Sequence, residues 1–256
     1  MKTIILAGGL GSRLSEETEI RPKPMVEIGG RPILWHIMKI YSYYGFDEFI
    51  LALGYKADYI KKYFLEYARH SGNITVSIKN GKSKIVQREQ DEWTIHLEET
   101  GIDTMTGGRI KSLSHWVKNE TFMVTYGDGV SDVNIKELIT FHKKMGKLAT
   151  ITAVRPPARY GGLIIENQTV KKFTEKPQTG EGWINGGFIV FEPQVLDMIP
   201  GQKSSLEVEL LEELSAIGQL AAFSHDGFWQ CMDTLRDLKY LEALWSTGNA
   251  QWKVWK

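Results

Sequence analysis

Residues 3–14 read Thr3-Ile4-Ile5-Leu6-Ala7-Gly8-Gly9-Leu10-Gly11-Ser12-Arg13-Leu14. Thr3 to Ala7 is short, apolar and β-rich and is bounded by glycine, the pattern of a buried strand in a parallel sheet. Glycines placed directly after such a strand let the backbone approach a ligand closely and aim several N–H groups at an anion. Arg13 adds a planar fork suited to phosphate oxygens. Lys23, in Arg21-Pro22-Lys23-Pro24-Met25, adds a compact point charge. A P-loop requires Gly-Lys followed by Ser or Thr, which is absent. A dinucleotide fingerprint requires a third glycine, and Gly9-x-Gly11 lacks it at the required position. The basic residues at 13, 21 and 23 suit a triphosphate better than a dinucleotide.

Outward from this loop the chain alternates as a parallel sheet demands. Pro32 to Tyr44 predicts a helix, with Ile33, Ile37 and Ile40 at helical spacing and Gly45 as its stop. Phe49 to Leu53 predicts a strand and Ala57 to Arg69 a helix. Gly108 to Lys118 reads as a helix, Thr121 to Tyr126 as a strand, Asn134 to Met145 as a helix and Ala149 to Val154 as a strand. Leu163 to Glu166 and Val170 to Thr174 predict a small antiparallel excursion. Ile184 to Phe191 predicts a strand, and Ser204 to Ile217 and Thr234 to Ser246 predict helices. The expected fold class is α/β: a Rossmann-like mixed, mostly parallel sheet flanked by helices. No repeat or linker divides the chain, so residues 1–256 read as one domain, with a nucleotide-binding half over 1–130 and a sugar-binding half over 131–256. The polar stretch Asn73 to Gly108 reads as a substrate-binding excursion beside the main sheet.

Composition narrows the function classes. The 256 residues carry 31 basic and 31 acidic side chains, without the basic excess of a general nucleic-acid binder. The single cysteine, Cys231, supports neither an internal disulfide nor a multi-cysteine metal site, so a reducing cytoplasm is expected. The opening apolar run ends at glycine, too short for a signal-peptide core or a membrane span, and no membrane role is expected. The six histidines lack metal-ligand spacing. Trp245, Trp252 and Trp255 near the end predict a tail that docks on the domain or on a neighbouring subunit.

Asp128 follows the strand ending at Tyr126, at the sheet edge where ligands of α/β folds gather, and flanking Gly127 and Gly129 leave room for a triphosphate. A hard oxygen ligand facing phosphates suits Mg²⁺, although Gly-Asp-Gly is also good turn chemistry. Asp233 directly precedes a predicted helix, and its own residue chemistry favours an N-cap.

The segment Leu6 to Leu14, followed by Pro22-Lys23-Pro24-Met25, resembles the signature of sugar-phosphate nucleotidyltransferases. These enzymes join a sugar 1-phosphate to a nucleoside triphosphate and release pyrophosphate. Further stretches carry the resemblance in order along the chain: Thr106-Gly107-Gly108-Arg109, Tyr126-Gly127-Asp128-Gly129, Glu175-Lys176-Pro177, Ile184-Asn185-Gly186-Gly187-Phe188, and Trp229 to Asp237. The likeness is greatest to the branch of the family that uses CTP and glucose 1-phosphate.

The resemblance implies a set of roles. Leu6, Ala7, Gly8, Gly9, Gly11, Ser12, Arg13, Lys23, Thr106, Gly108, Arg109 and Asp128 would bind the nucleotide. Tyr126, Gly161, Glu175, Lys176, Asn185 and Gly186 would bind the sugar. Asp128 and Asp233 would hold Mg²⁺, and Arg13, Lys23 and Lys176 would be catalytic, the last by holding the incoming sugar phosphate. Arg109 near a helix start opposes the helix dipole and so predicts an anionic or acceptor-rich target. The implied reaction is CTP plus glucose 1-phosphate to CDP-glucose and diphosphate, supplying deoxysugar and surface polysaccharide synthesis. A homo-oligomer is implied as well, a hexamer among the candidates. Enzymes using UTP, dTTP or GTP, and a catalytically silent nucleotide-sugar sensor, are the competing readings. The chain departs from the family at Ser204 to Leu211, where a tryptophan is expected near Leu206.

Overall fold

The computed structural model describes residues 1–11, 14–70, 73–86, 91–156, 162–166, 169–174 and 182–256. Its centre is one sheet whose strands we number β1 (Thr3–Leu6), β2 (Glu48–Leu53), β3 (Thr94–Glu99), β4 (Phe122–Tyr126), β5 (Ala149–Val154), β6 (Ile184–Asn185), β7 (Ile189–Phe191) and β8 (Leu220–His225). From β3 the order runs β2, β1, β4, β7, β5. Short β6 pairs with β5 beyond β7 along the strand, and β8 also pairs with β5. The pairs β1–β2, β1–β4, β2–β3 and β5–β8 are parallel; β6 and β7 run antiparallel to their neighbours. The mixed, mostly parallel sheet is the α/β class expected.

All four β1 residues are buried, as a central strand covered on both faces requires. Alternation assigns them to opposite faces. Ile5 and Ala7 belong to one apolar cluster, with Ile37 and Tyr41, while Ile4 and Leu6 belong to another, with Ile110 and Phe191.

The main helices are α1 (Ile33–Tyr43), α2 (Ala57–His70), α3 (Thr106–Ser112), α4 (Ile135–Met145) and α5 (Leu235–Ser246). Asn134 caps α4 by accepting from the backbone N–H groups of Lys136 and Glu137, and left-handed Gly146 ends it. Among the described residues no helix is long and apolar enough to cross a membrane.

Four expectations need correction. Thr94–Glu99 does not lie beside the sheet: it is edge strand β3, and only Asn73–Ser77 and Lys82–Val86 form a separate hairpin. The single strand expected over 184–191 breaks into β6 and β7, because Gly187 and Phe188 take φ of 76° and 46°. The helix expected over 204–217 starts as a π-helical turn, Leu206–Leu211, before continuing as Glu212–Ala216. Strand β8 falls in a stretch where no element was expected.

The tryptophan tail docks on this same domain. Trp252 is fully buried and donates its indole N–H to His36 Nδ1 at 3.3 Å, while His36 Nε2 pairs with Ile28 O at 2.9 Å.

Candidate active site

The carboxyl ends of β1 and β4 lie side by side, and the residues that follow them open into a cleft of about 400 Å³. Leu6, Gly8, Gly9 and Gly11 line it from β1, and Tyr126, Gly127 and Asp128 from β4. Lys23, Thr106, Arg109, Ser205 and Glu207 complete its wall with Pro24, Thr104 and Met105. Gly11 has a φ of 65°, a left-handed turn in which an ideal Cβ would sit 2.9 Å from Thr18 Cγ2.

Asp128 and Asp233 are 105 residues apart but meet at one cation. Lys23 Nζ donates to Asp128 Oδ2 at 2.6 Å and to Asp233 Oδ1 at 2.5 Å. A two-stranded antiparallel ribbon, Gly129–Ser131 with Trp229–Cys231, produces the meeting: Gly129 pairs with Cys231, and Met232 N donates to Asp128 O at 2.8 Å. Burial disfavours a charged Lys23, but the two carboxylates outweigh it and raise its pKa. The N-cap reading for Asp233 falls away. Thr234 is the cap of α5, accepting from Asp237 N while Asp237 accepts from Thr234 N, and Asp233 is left to face Lys23.

This donor set fits a divalent cation. Among the described residues the two carboxylates share the Lys23 ammonium beside a glycine-lined cleft, and both are hard oxygen donors. Among the described residues no cluster of three or more His, Cys, Asp or Glu side chains converges as metal ligands. Mg²⁺ needs no such cluster, because it takes one or two carboxylates and fills its remaining positions with water and phosphate oxygens.

Arg109 lines the cleft, and its guanidinium also meets the acceptor-rich target expected of it. It lies in the body of α3, 4% exposed, and its guanidinium is committed to protein oxygens. Nη1 donates to Thr100 Oγ1 at 2.6 Å, Gly101 O at 2.7 Å and Leu53 O at 3.1 Å; Nη2 donates to Gly8 O at 3.0 Å and Ile102 O at 3.3 Å. The acceptors it meets here are protein oxygens. The fork ties the loop after β1 to the end of β2 and the loop after β3, and a Cβ on Gly8 would sit 2.3 Å from Nη1. Gly108, in the same helix, packs against the Gln202 backbone, and its N–H donates to Ser204 O at 2.9 Å.

The sugar-side residues are partly assembled. Asn185 Nδ2 donates to Tyr126 Oη at 3.2 Å, and Asn185 Oδ1 accepts from Gly187 N at 3.0 Å. Gly186 is packed so closely on β5 that a Cβ would lie 2.7 Å from Val154 Cγ1. Ser12, Arg13, Gly161, Glu175 and Lys176 lie outside the described residues. Glu207, like Thr104, Met105 and Ser205, is a wall residue that the sequence did not single out. It sits in Leu206-Glu207-Val208-Glu209-Leu210-Leu211, which reads as an ordinary helix with a solvated acidic face.

The nucleotidyl transferase family profile matches residues 2–245. The chain is 51% identical over 257 residues to a glucose-1-phosphate cytidylyltransferase of Salmonella typhi, covering all of both chains. It is 43% identical over 256 residues to a probable glucose-1-phosphate cytidylyltransferase of Bacillus subtilis, again across both full lengths. Among solved structures, HddC from Yersinia pseudotuberculosis superposes with a TM-score of 0.66 at 28% identity, covering 95% of this chain and 99% of that one.

Proposed function

This chain belongs to the nucleotidyl transferase family, and we propose that it joins CTP to glucose 1-phosphate to form CDP-glucose and diphosphate. The observation that carries the chemistry is Lys23 clamped between Asp128 and Asp233 at the mouth of the β1 glycine loop. Full-length likeness to cytidylyltransferases supports the choice of CTP and glucose.

A phosphate oxygen of the sugar attacks the α-phosphorus, the bond between that phosphorus and the bridging oxygen to the β-phosphate breaks, and diphosphate leaves in line. The nucleophile is already anionic and requires no general base. The protein's work is to hold two polyanions together and to place positive charge where negative charge develops. Backbone N–H groups of Gly8 to Gly11, with Ser12 and Arg13, cradle the triphosphate in this reading, and Lys23 neutralises the leaving diphosphate. Lys176 holds the sugar phosphate, and Glu175 and Asn185 take sugar hydroxyls, with Gly161 and Gly186 shaping that pocket. Asp128 and Asp233 would hold Mg²⁺, which when bound supplies charge neutralisation on the phosphate oxygens. Arg109 contributes by fixing the position of Gly8.

The proposal extends to a cytoplasmic homo-oligomer. The test is pyrophosphate release measured across CTP, UTP, dTTP and GTP with a panel of sugar 1-phosphates, with and without Mg²⁺. Mg²⁺-dependent release that is fastest with CTP and glucose 1-phosphate is expected. Faster release with another pair overturns the substrate assignment, and binding without release from any pair establishes a sensor.

A further inference from the structure

Glu207 is an acid in a cleft built for anions, and the proposed reaction gives it no role. Its two carboxylate oxygens are separately anchored. Oε1 accepts from Tyr126 Oη at 2.6 Å, and Oε2 accepts from Thr106 Oγ1 at 2.9 Å. Each of those hydroxyls has its own oxygen engaged as an acceptor, Tyr126 from Asn185 Nδ2 at 3.2 Å and Thr106 from Leu206 N at 2.7 Å. Each hydroxyl therefore directs its one proton at Glu207. Burial, together with the Glu207 charge, raises the pKa of Tyr126 and keeps that proton on the phenol.

A carboxylate oxygen accepts more than one hydrogen bond, so each Glu207 oxygen retains acceptor capacity while its orientation is held. Among the described residues Glu207 forms no ion pair, and it is exposed to the cleft. A carboxylate there repels phosphate and attracts a neutral donor. The Tyr126 hydroxyl that donates to Glu207 also accepts from Asn185, the residue given sugar hydroxyls in the proposed function, so Glu207 joins the sugar-side residues of the cleft.

We propose that Glu207 is a specificity-determining residue that accepts a hydrogen bond from a sugar hydroxyl of the bound substrates, its carboxylate aimed by Tyr126 and Thr106. The shared chemistry, a ring hydroxyl, has two sources, the ribose of the nucleotide and the hexose of the sugar phosphate. The assignment rests on the function proposed above.

The experiment pairs Glu207→Gln, which keeps the side-chain length, with substrates that each lack one hydroxyl. Steady-state kinetics are measured for CTP against 2′-deoxy-CTP and 3′-deoxy-CTP, and for glucose 1-phosphate against its monodeoxy analogues. Glu207→Gln should raise the KM of one substrate about tenfold or more with kcat within threefold, because the amide removes the acceptor's charge and turns one of its two oxygens into a donor. For one deoxy analogue of that same substrate, Glu207→Gln and wild type should then perform alike, because the partner is already missing. Such non-additivity on a nucleotide analogue assigns the ribose, and on a hexose analogue the sugar phosphate.

Penalties that simply multiply with every analogue overturn the proposal and leave Glu207 as a brace for Tyr126 and Thr106. A penalty that vanishes with UTP instead assigns Glu207 to the base and also overturns it. Wild type that releases no pyrophosphate from any pair overturns the function reading itself. Active wild type with an indistinguishable Glu207→Gln variant overturns only this assignment.

Discussion

Lys23 is a counter-charge shared by Asp128 and Asp233. Replacing it by alanine leaves two carboxylates without that charge, so the ligand-free variant should bind Mn²⁺ on the order of tenfold more tightly, read by electron paramagnetic resonance titration. The same variant should lose on the order of a hundredfold in kcat, as the role proposed for Lys23 at the departing diphosphate requires. Near-wild-type turnover would contradict the role given to Lys23. Arg109 makes a different prediction. Arg109→Lys keeps the charge, but a single ammonium cannot satisfy five oxygens spread over the loop after β1, the end of β2 and the loop after β3. The variant should lose about 2–3 kcal/mol of stability in urea titration, since buried acceptors are left unpaired. The importance of Arg109 was legible in Thr106-Gly107-Gly108-Arg109. What it touches was not, because its partners come from residues 8, 53 and 100–102, and local sequence carries no record of which loops meet.

At the scale of elements, the boundaries set by local chemistry came through. Helix α4 occupies its expected place because Asn134 caps it and Gly146 supplies the left-handed stop. Strands β1, β2, β4 and β5 are apolar runs whose burial shows in composition. Elements that depend on remote partners did not come through. Leu206-Glu207-Val208-Glu209-Leu210-Leu211 has good helix formers and reads as α, yet it winds as a π turn where Thr106 Oγ1 accepts from Leu206 N and Ser205 Oγ accepts from Val208 N at 2.9 Å. Capping also positions the site. Thr234→Ala removes one half of the α5 capping box beside Asp233 and should cost about 1 kcal/mol in thermal or urea unfolding, with Thr234→Ser recovering most of it. An unchanged midpoint would show that the box contributes nothing to the α5 start.

For the whole molecule, the packing of the C-terminal tail carries a pH dependence. Burial lowers the pKa of His36 to about 4, against partial opposition from its bond to Ile28 O. The bonding agrees: Nε2 faces a carbonyl and so carries the proton, while Nδ1 receives the Trp252 N–H and must be an unprotonated acceptor. The unfolded chain takes up this proton near pH 6.5 and the folded chain only near pH 4. Stability is therefore fully present above about pH 6.5 and falls as the pH drops toward 4, by about 3 kcal/mol. Urea unfolding between pH 7 and 4.5 measures it. His36→Gln should be less stable at pH 7 but should lack this part of the slope; an unaltered slope would assign the acid sensitivity to other groups.

The order of apolar runs and glycine breaks in residues 1–154 was enough to specify an α/β sheet with a phosphate-type loop after its first strand. Those signals are local: periodicity, capping and turn chemistry act over a few residues and are written in them. Lys23 and Asp128 could be named from their immediate neighbours for the same reason. The site itself was decided in three dimensions. Asp233 reaches Lys23 only because Trp229–Cys231 pairs with Gly129–Ser131, about 100 residues away in the chain. Glu207 reaches the cleft only because α3 and the turn after Ser205 pack together through Thr106. Strand pairing and side-chain packing between distant segments are chosen by the energy of the whole fold, and no window of the sequence contains that choice.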